Sequence, residues 1–249
     1  HYHIDESDLT KLDHCTLCAS ENISRLTEVY LEARLNFLST SVCNDCAHMF
    51  RSIFPSIKWF KRCWKQIATT KLEVFSAEIE TIRKNRYENY YETLSKYIQS
   101  GRLLDVGAAY GTGTKVFRDH GFEVAAIEPE DDRANYINNY FNIPVMAESI
   151  DEMQADGEKY DLIIFAHCLE HVDDPTTAVL QLRNLLNKDT GILYIEVPIF
   201  WYYGTWNDAF FLAHKNNFLE STVVSLLNRF GFEVIEKTWP WEEQEKIWH

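Results

Sequence analysis

The sequence predicts an α/β protein: a doubly wound, mostly parallel sheet, preceded by a small cysteine-bearing unit and a helical connector. Three observations lead there. From Arg102 onward, short apolar runs alternate with stretches of helical periodicity, as in a parallel sheet wound by helices. A glycine-rich turn from Gly107 to Gly113 follows the first of those runs, where such sheets hold their ligand. Ahead of it, four of the six cysteines fall in two C-x₂-C pairs.

Residues 1–55 are irregular and hold the paired cysteines. Residues 56–100 form the connector, in which Tyr87, Tyr90, Tyr91, Leu94 and Ile98 recur at helical spacing until Ser100-Gly101 ends it. Residues 101–249 form the main domain. Its strands are expected at Leu103–Val106, Glu123–Ile127, Pro144–Met146, Leu162–Phe165, Ile192–Val197 and Phe232–Ile235. Its helices are expected at Thr114–His120, Asp131–Tyr140, Thr176–Leu186 and Leu219–Phe230. Pro129 and the acidic run after it suit a helix start. Gly231 suits a helix end.

Composition narrows the function. A net charge of −14 over 249 residues argues against general attraction to nucleic acid. One basic patch exists at Lys58, Lys61, Arg62 and Lys65, but its alternation with Trp59, Phe60 and Trp64 suits an amphipathic helix equally well. No apolar run is long enough for a membrane span, and no secretory segment opens the sequence. Cysteine pairs spaced for a metal rather than for disulfides point to a reducing compartment, the cytoplasm.

The glycine turn does not fit a phosphate site. Counting from Gly107, the dinucleotide pattern G-x-G-x-x-G fails at Ala109 and again at Thr112, and no G-K-[ST] follows. What remains is Asp105-Val106-Gly107-Ala108-Ala109-Tyr110-Gly111, a carboxylate at a strand end before a small-residue turn. A carboxylate there suits a cationic ligand.

These residues resemble the class I S-adenosylmethionine-dependent methyltransferases over roughly Arg102–Lys237. DVGAAYG matches the family's first motif, with Ala109 where glycine is commoner. Glu128, before Pro129, falls where the family places an acid on the ribose hydroxyls. Glu148-Ser149 falls where the adenine edge is read. YDLIIFAHCLEHVDDP is similar to the fourth-strand segment, and GILYIEVP to the fifth. The resemblance implies a Rossmann-like methyltransferase fold. It also implies that S-adenosylmethionine is held by Asp105, Gly107, Ala109, Gly111, Glu128, Pro129, Glu148, Ser149, Ala166 and His167, leaving S-adenosylhomocysteine as product.

Cys15-Thr-Leu-Cys18 and Cys43-Asn-Asp-Cys46 can surround Zn²⁺ with four thiolates. With no open position, the site would be structural. VCNDCAHMF resembles the second knuckle of zinc ribbons found before sugar and natural-product methyltransferases. Such a ribbon could cover the acceptor site, mediate homodimerisation, or grip RNA as in some ribosomal-RNA methyltransferases. The acidic balance favours the first two.

Methyl transfer to a hydroxyl needs a positioned acceptor and a group to take its proton. His214 is the first choice for that base, His167 the second and His171 the third, the last fitting a structural role equally well. His214 ends an aromatic stretch, Ile199–His214, suited to stacking on a sugar or to packing. Carbon-methylating sugar relatives carry a Tyr and a Glu-His pair in this region. Here the positions are Phe211, Ala213 and His214, and only Glu245–Trp248 is left for a seventh strand. The expected reaction is therefore methyl transfer to a hydroxyl oxygen of a small polar acceptor, such as a nucleotide-linked sugar or glycan precursor. Sugar C-methylation, an RNA- or protein-directed enzyme, and a non-catalytic cofactor-binding scaffold are the alternatives.

Overall fold

The computed structural model describes residues 4–30, 36–56, 58–59, 77–153, 157, 159–202 and 213–238. The N-terminal unit begins with strands β1 (Leu9–Lys11), β2 (Ile23–Tyr30), β3 (Asn36–Cys43) and β4 (Met49–Pro55). Helix α1 (Ala77–Leu94) follows. The main domain then runs β5 (Arg102–Val106), α2 (Thr112–Asp119), β6 (Glu123–Ile127), α3 (Asp131–Tyr136), β7 (Val145–Ala147), β8 (Leu162–Ala166), α4 (Pro175–Leu185), β9 (Ile192–Glu196), β10 (Asn216–Asn217) and α5 (Glu220–Arg229).

Five strands make one sheet in the order β7-β6-β5-β8-β9. Every pairing in it is parallel. The chain winds outward from β5 to β7, then crosses back to β8 on the other side of β5. The switch point therefore lies between β5 and β8, where such sheets open a ligand crevice. Their near-continuous apolar sequences follow from burial on both faces. Leu103, Leu162 and Ile164 face a core shared with Tyr90, Phe117 and Ile137. Leu104, Ile163 and Phe165 face the opposite core, with Leu182 and Leu226. Helix α4 starts where Asp174 accepts from the backbone N–H groups of Thr176 and Thr177 at 2.9 and 3.0 Å, with Pro175 at the first turn.

The N-terminal strands form an antiparallel sheet in the order β1-β4-β3-β2. It is not closed on itself. One edge of β4 pairs with β1 at Ile53–Pro55 and with β10 at Met49–Phe50. β10 lies after β9 in the chain, so a segment of the main domain completes the N-terminal sheet through backbone hydrogen bonds. Cys15, Cys43 and Phe50 share the α4–α5 core. Thr176 Oγ1 donates to the carbonyl of Thr16 at 2.9 Å, and Arg229 donates to the carbonyl of Leu17.

Among the described residues, Phe232–Ile235 is not a sixth strand. None of the described residues pairs with it; α5 closes at Gly231 with φ +78°, and Glu236 beyond it accepts from the Tyr97 hydroxyl at 2.7 Å. The connector helix is described only as α1 and residues 58–59. Most of the aromatic stretch (203–212, with Phe211), Lys61, Arg62, Lys65 and Glu245–Trp248 lie outside the described residues.

Helix α1 lies against α2 so closely that a Cβ on Gly113 would sit 2.5 Å from the Tyr87 ring. Gly113→Ala should therefore lower stability by about 1–3 kcal/mol, the usual result of overpacking. Thermal unfolding of the variant, expected several degrees below the parent, checks this.

Candidate active site

The site is built where β5, β6 and β8 end. Asp105 closes β5 and is fully buried. The Tyr87 hydroxyl donates to its Oδ1 at 2.9 Å, and Thr114 Oγ1 donates to its Oδ2 at 2.5 Å. Burial pushes its carboxyl up to about 6, and the two donors pull the other way. This corrects the expectation of a carboxylate facing a cationic ligand. Both oxygens are engaged by the protein, so Asp105 positions the loop from beneath.

The loop above it turns through left-handed backbone at Gly107 (φ +83°), Ala109 (φ +53°) and Gly111 (φ +76°). At Gly107 a Cβ would meet Cys168 Sγ at 2.4 Å, so the β5 and β8 loops touch there. Cys168 itself is half-buried, its thiol pushed far up by desolvation and its Sγ donating to the carbonyl of Val106. Ala109 stands in a conformation that L residues avoid. Its N–H is tied to Glu128, whose Oε2 accepts it at 2.8 Å while Oε1 accepts from the N–H of Glu130 at 3.1 Å. Glu128 is buried at the end of β6, and burial lifts its carboxyl to about 7 against the nearby Arg133 guanidinium. Pro129 is exposed beside it. Glu148 is exposed and Ser149 half-buried after β7. Thr112 donates to Glu80 on α1, so that helix walls one side of the loop.

The β8 loop carries the histidines. Ala166 ends β8, and His167 follows with φ +54°. Its Nε2 lies 2.6 Å from Glu196 Oε1, and its Nδ1 3.6 Å from Glu170 Oε1. Burial opposes charge on this ring, yet hydrogen bonds to Glu170 and Glu196 outweigh it and raise its pKa to about 9. Held between these two carboxylates, His167 favours its charged form, which suits a fixed cation better than a base. Glu196 is held down to about 2: burial works against its charge, but His167 more than offsets that. His214 behaves oppositely. Burial first, then the neighbouring His171, His167 and Arg51, lower it to about 4 against the opposing pull of Glu170, so it stays neutral. The His171 and His214 rings stand 5.0 Å apart between centroids. Glu170 lies beside both, and the three can bring ligand atoms within 4.8 Å of one another.

The sequence reading missed Tyr87, Thr114, Glu170 and Glu196. Two carried a signal: Glu196 ends an otherwise apolar strand, and Glu170 sits among apolar residues before His171.

The four paired cysteines also converge. Cys15 and Cys46 sulfurs are 3.6 Å apart, and those of Cys18 and Cys43 are 3.5 Å apart. All four fit within 4.8 Å of one another. Zn–S bonds of about 2.3 Å set tetrahedral sulfurs about 3.8 Å apart, so the set fits zinc. The two knuckles repeat one turn: Ala19 and Ala47 both have φ +61°, and each N–H reaches the first cysteine's carbonyl at 2.9 Å.

A methyltransferase domain model matches residues 79–237, from α1 to beyond α5. The chain belongs to the methyltransferase domain family. An uncharacterized methyltransferase of Staphylococcus carnosus is 29% identical over 112 residues, 43% of this chain and 54% of that protein. The ubiquinone biosynthesis O-methyltransferase of Haemophilus ducreyi is 26% identical over 118 residues, 43% of this chain and 50% of that protein. The matched stretch thus spans about half the length of these curated relatives. A SAM-dependent methyltransferase of Thermotoga maritima shares the fold, with TM-score 0.51 at 16% identity over 70% of this chain and 80% of that one. The N-terminal cysteine unit lies ahead of the matched methyltransferase domain. Among the described residues, no helix is long and apolar enough to cross a membrane.

The His167 clamp has a pH signature. Its folded pKa of about 9 exceeds the roughly 6.5 of an unfolded histidine. Its stabilising contribution is therefore complete below about pH 6.5 and is lost as pH rises through about 9. Urea midpoints across that window should fall more steeply for the parent than for His167→Gln, and equal slopes would refute the clamp.

Proposed function

We propose that the protein transfers a methyl group from S-adenosylmethionine to a hydroxyl oxygen of a small polar acceptor, such as a nucleotide-linked sugar or glycan precursor. The observation that carries the cofactor part is the loop itself: three left-handed residues over a doubly anchored Asp105, with the Glu128 carboxylate at the neighbouring strand end. The cofactor supplies a methyl already activated on a sulfonium. Backbone at Gly107, Ala109 and Gly111 would cradle it, and Glu128 would turn from the Ala109 N–H to the ribose hydroxyls. Glu148 and Ser149 stand at the adenine end, with Ala166 and the cationic His167 bordering the methyl end.

The acceptor side is the Glu170–His171–His214 cluster. His214, kept neutral, is its preferred member for receiving the acceptor's proton. An O-methyltransferase among the partial matches supports oxygen as the target atom. The acidic chain supports a small acceptor over RNA. The four cysteines would hold a structural Zn²⁺, and their free thiols fit a reducing cytoplasm.

Two experiments test this. Methyl-labelled S-adenosylmethionine, incubated with the protein and extract split into small-molecule, RNA and protein pools, should label the small-molecule pool. Label in RNA or protein instead would overturn the acceptor assignment. Glu128→Ala should weaken S-adenosylhomocysteine binding roughly tenfold or more by calorimetry, the loss of a charged hydrogen bond of about 1.5–3 kcal/mol. Unchanged affinity would refute its ribose role.

A further inference from the structure

We infer that Glu170, His171 and His214 form a second metal site, taking one divalent transition ion such as Zn²⁺ with an open coordination position. The ligand atoms of the three residues can lie within 4.8 Å of one another. Zinc bonds of about 2.0–2.2 Å to nitrogen and oxygen set ligands about 3.4 Å apart in a tetrahedral site, so little inward movement is needed.

The surroundings are arranged for a cation. His171 Nδ1 lies 2.9 Å from the carbonyl of Ala213, which can only accept, so Nδ1 carries the hydrogen. That leaves Nε2 facing Glu170 Oε1 at 3.8 Å. A ring nitrogen tied behind to a backbone carbonyl and aimed at a carboxylate is the usual posture of a metal-binding histidine. Glu170 is 1% exposed, and its Oε2 finds no hydrogen-bond partner among the described residues. A buried, unsatisfied carboxylate oxygen calls for a ligand. Two imidazoles and one carboxylate suit borderline transition ions rather than Mg²⁺ or Ca²⁺. Two cations border the cluster. His167 pairs with Glu196 and also places its Nδ1 3.6 Å from Glu170 Oε1, leaving Oε2 to face the ion, and Arg51 lies behind His214, donating its Nε to that residue's carbonyl at 3.3 Å.

The use of this ion, though not its existence, rests on the methyl-transfer reading. An acceptor hydroxyl in the open position would give its proton to water on binding. Its oxygen would then bond the methyl carbon as the carbon–sulfur bond breaks and the electron pair stays on sulfur. With the ion bound, His214 would be a ligand and the acceptor's proton would leave to water; its role as a base belongs to the ion-free site.

The test is metal stoichiometry. The full chain is dialysed against micromolar Zn²⁺ and analysed for zinc per chain, in parallel with S-adenosylhomocysteine binding. The parent should hold two equivalents. Glu170→Gln and His171→Gln should each hold one, with the second site weakened at least roughly tenfold. The retained thiolate zinc, read from cobalt–thiolate absorption after Co²⁺ exchange, shows that each variant is folded. One equivalent in the parent, or two in both variants, overturns the site. S-adenosylhomocysteine binding with only one zinc sinks the metal site alone. Two zincs without S-adenosylhomocysteine binding leave the metal standing and sink the cofactor reading.

Discussion

A single buried carboxylate organises this molecule. Asp105 ends the central strand of the parallel sheet and receives one hydroxyl from helix α1 and one from helix α2. Three elements from separate parts of the chain therefore meet at one fully buried carboxyl. The arrangement is costly unless both donors are in place, because an unmatched buried carboxylate loses its hydration without return. The same contact fixes the height of the glycine loop above it. The loop's left-handed turns, the Ala109–Glu128 tie and the Cys168–Gly107 contact all follow from where Asp105 is held.

Much of the parallel sheet was legible because its strands are buried on both faces and read as plain apolar runs, as at Leu103-Leu104 and Leu162–Phe165. Helix α4 was legible through the Asp174-Pro175 start. Phe232–Ile235 reads as a strand by its apolar alternation but pairs with none of the described residues, because alternation reports a strand's faces and not its neighbours. The cysteine pairs announced their convergence by spacing alone. The site's electrostatics stayed hidden, since His167 and His214 look alike as letters. Their divergence comes from Glu196 on the adjacent strand and from burial, both products of tertiary contact.

Opposite protonation in neighbouring histidines gives the site a division of labour. The His167 ring is held between the carboxylates of Glu170 and Glu196, which favour its charged form, while the His171 and His214 rings stand 5.0 Å apart beside it. Fixed dipoles and charges of this kind do their work without rearranging during the reaction. The loop after β8 thus joins a rigid, charge-balanced border to an electron-donating pocket on the acceptor side.

The two-residue strand β10 deserves a reading in time as well as space. β4 has one edge half covered by β1, and the other half, at Met49–Phe50, is covered among the described residues by Asn216–Asn217. A chain emerging from the ribosome makes β4 long before it makes β10. Until then the Phe50 edge is an open row of backbone donors and acceptors, the kind of surface that recruits stray strands. The sheet of the cysteine unit is therefore completed by a segment that emerges about 160 residues after β4, and a copy of the unit cut before β10 would leave the Phe50 edge open.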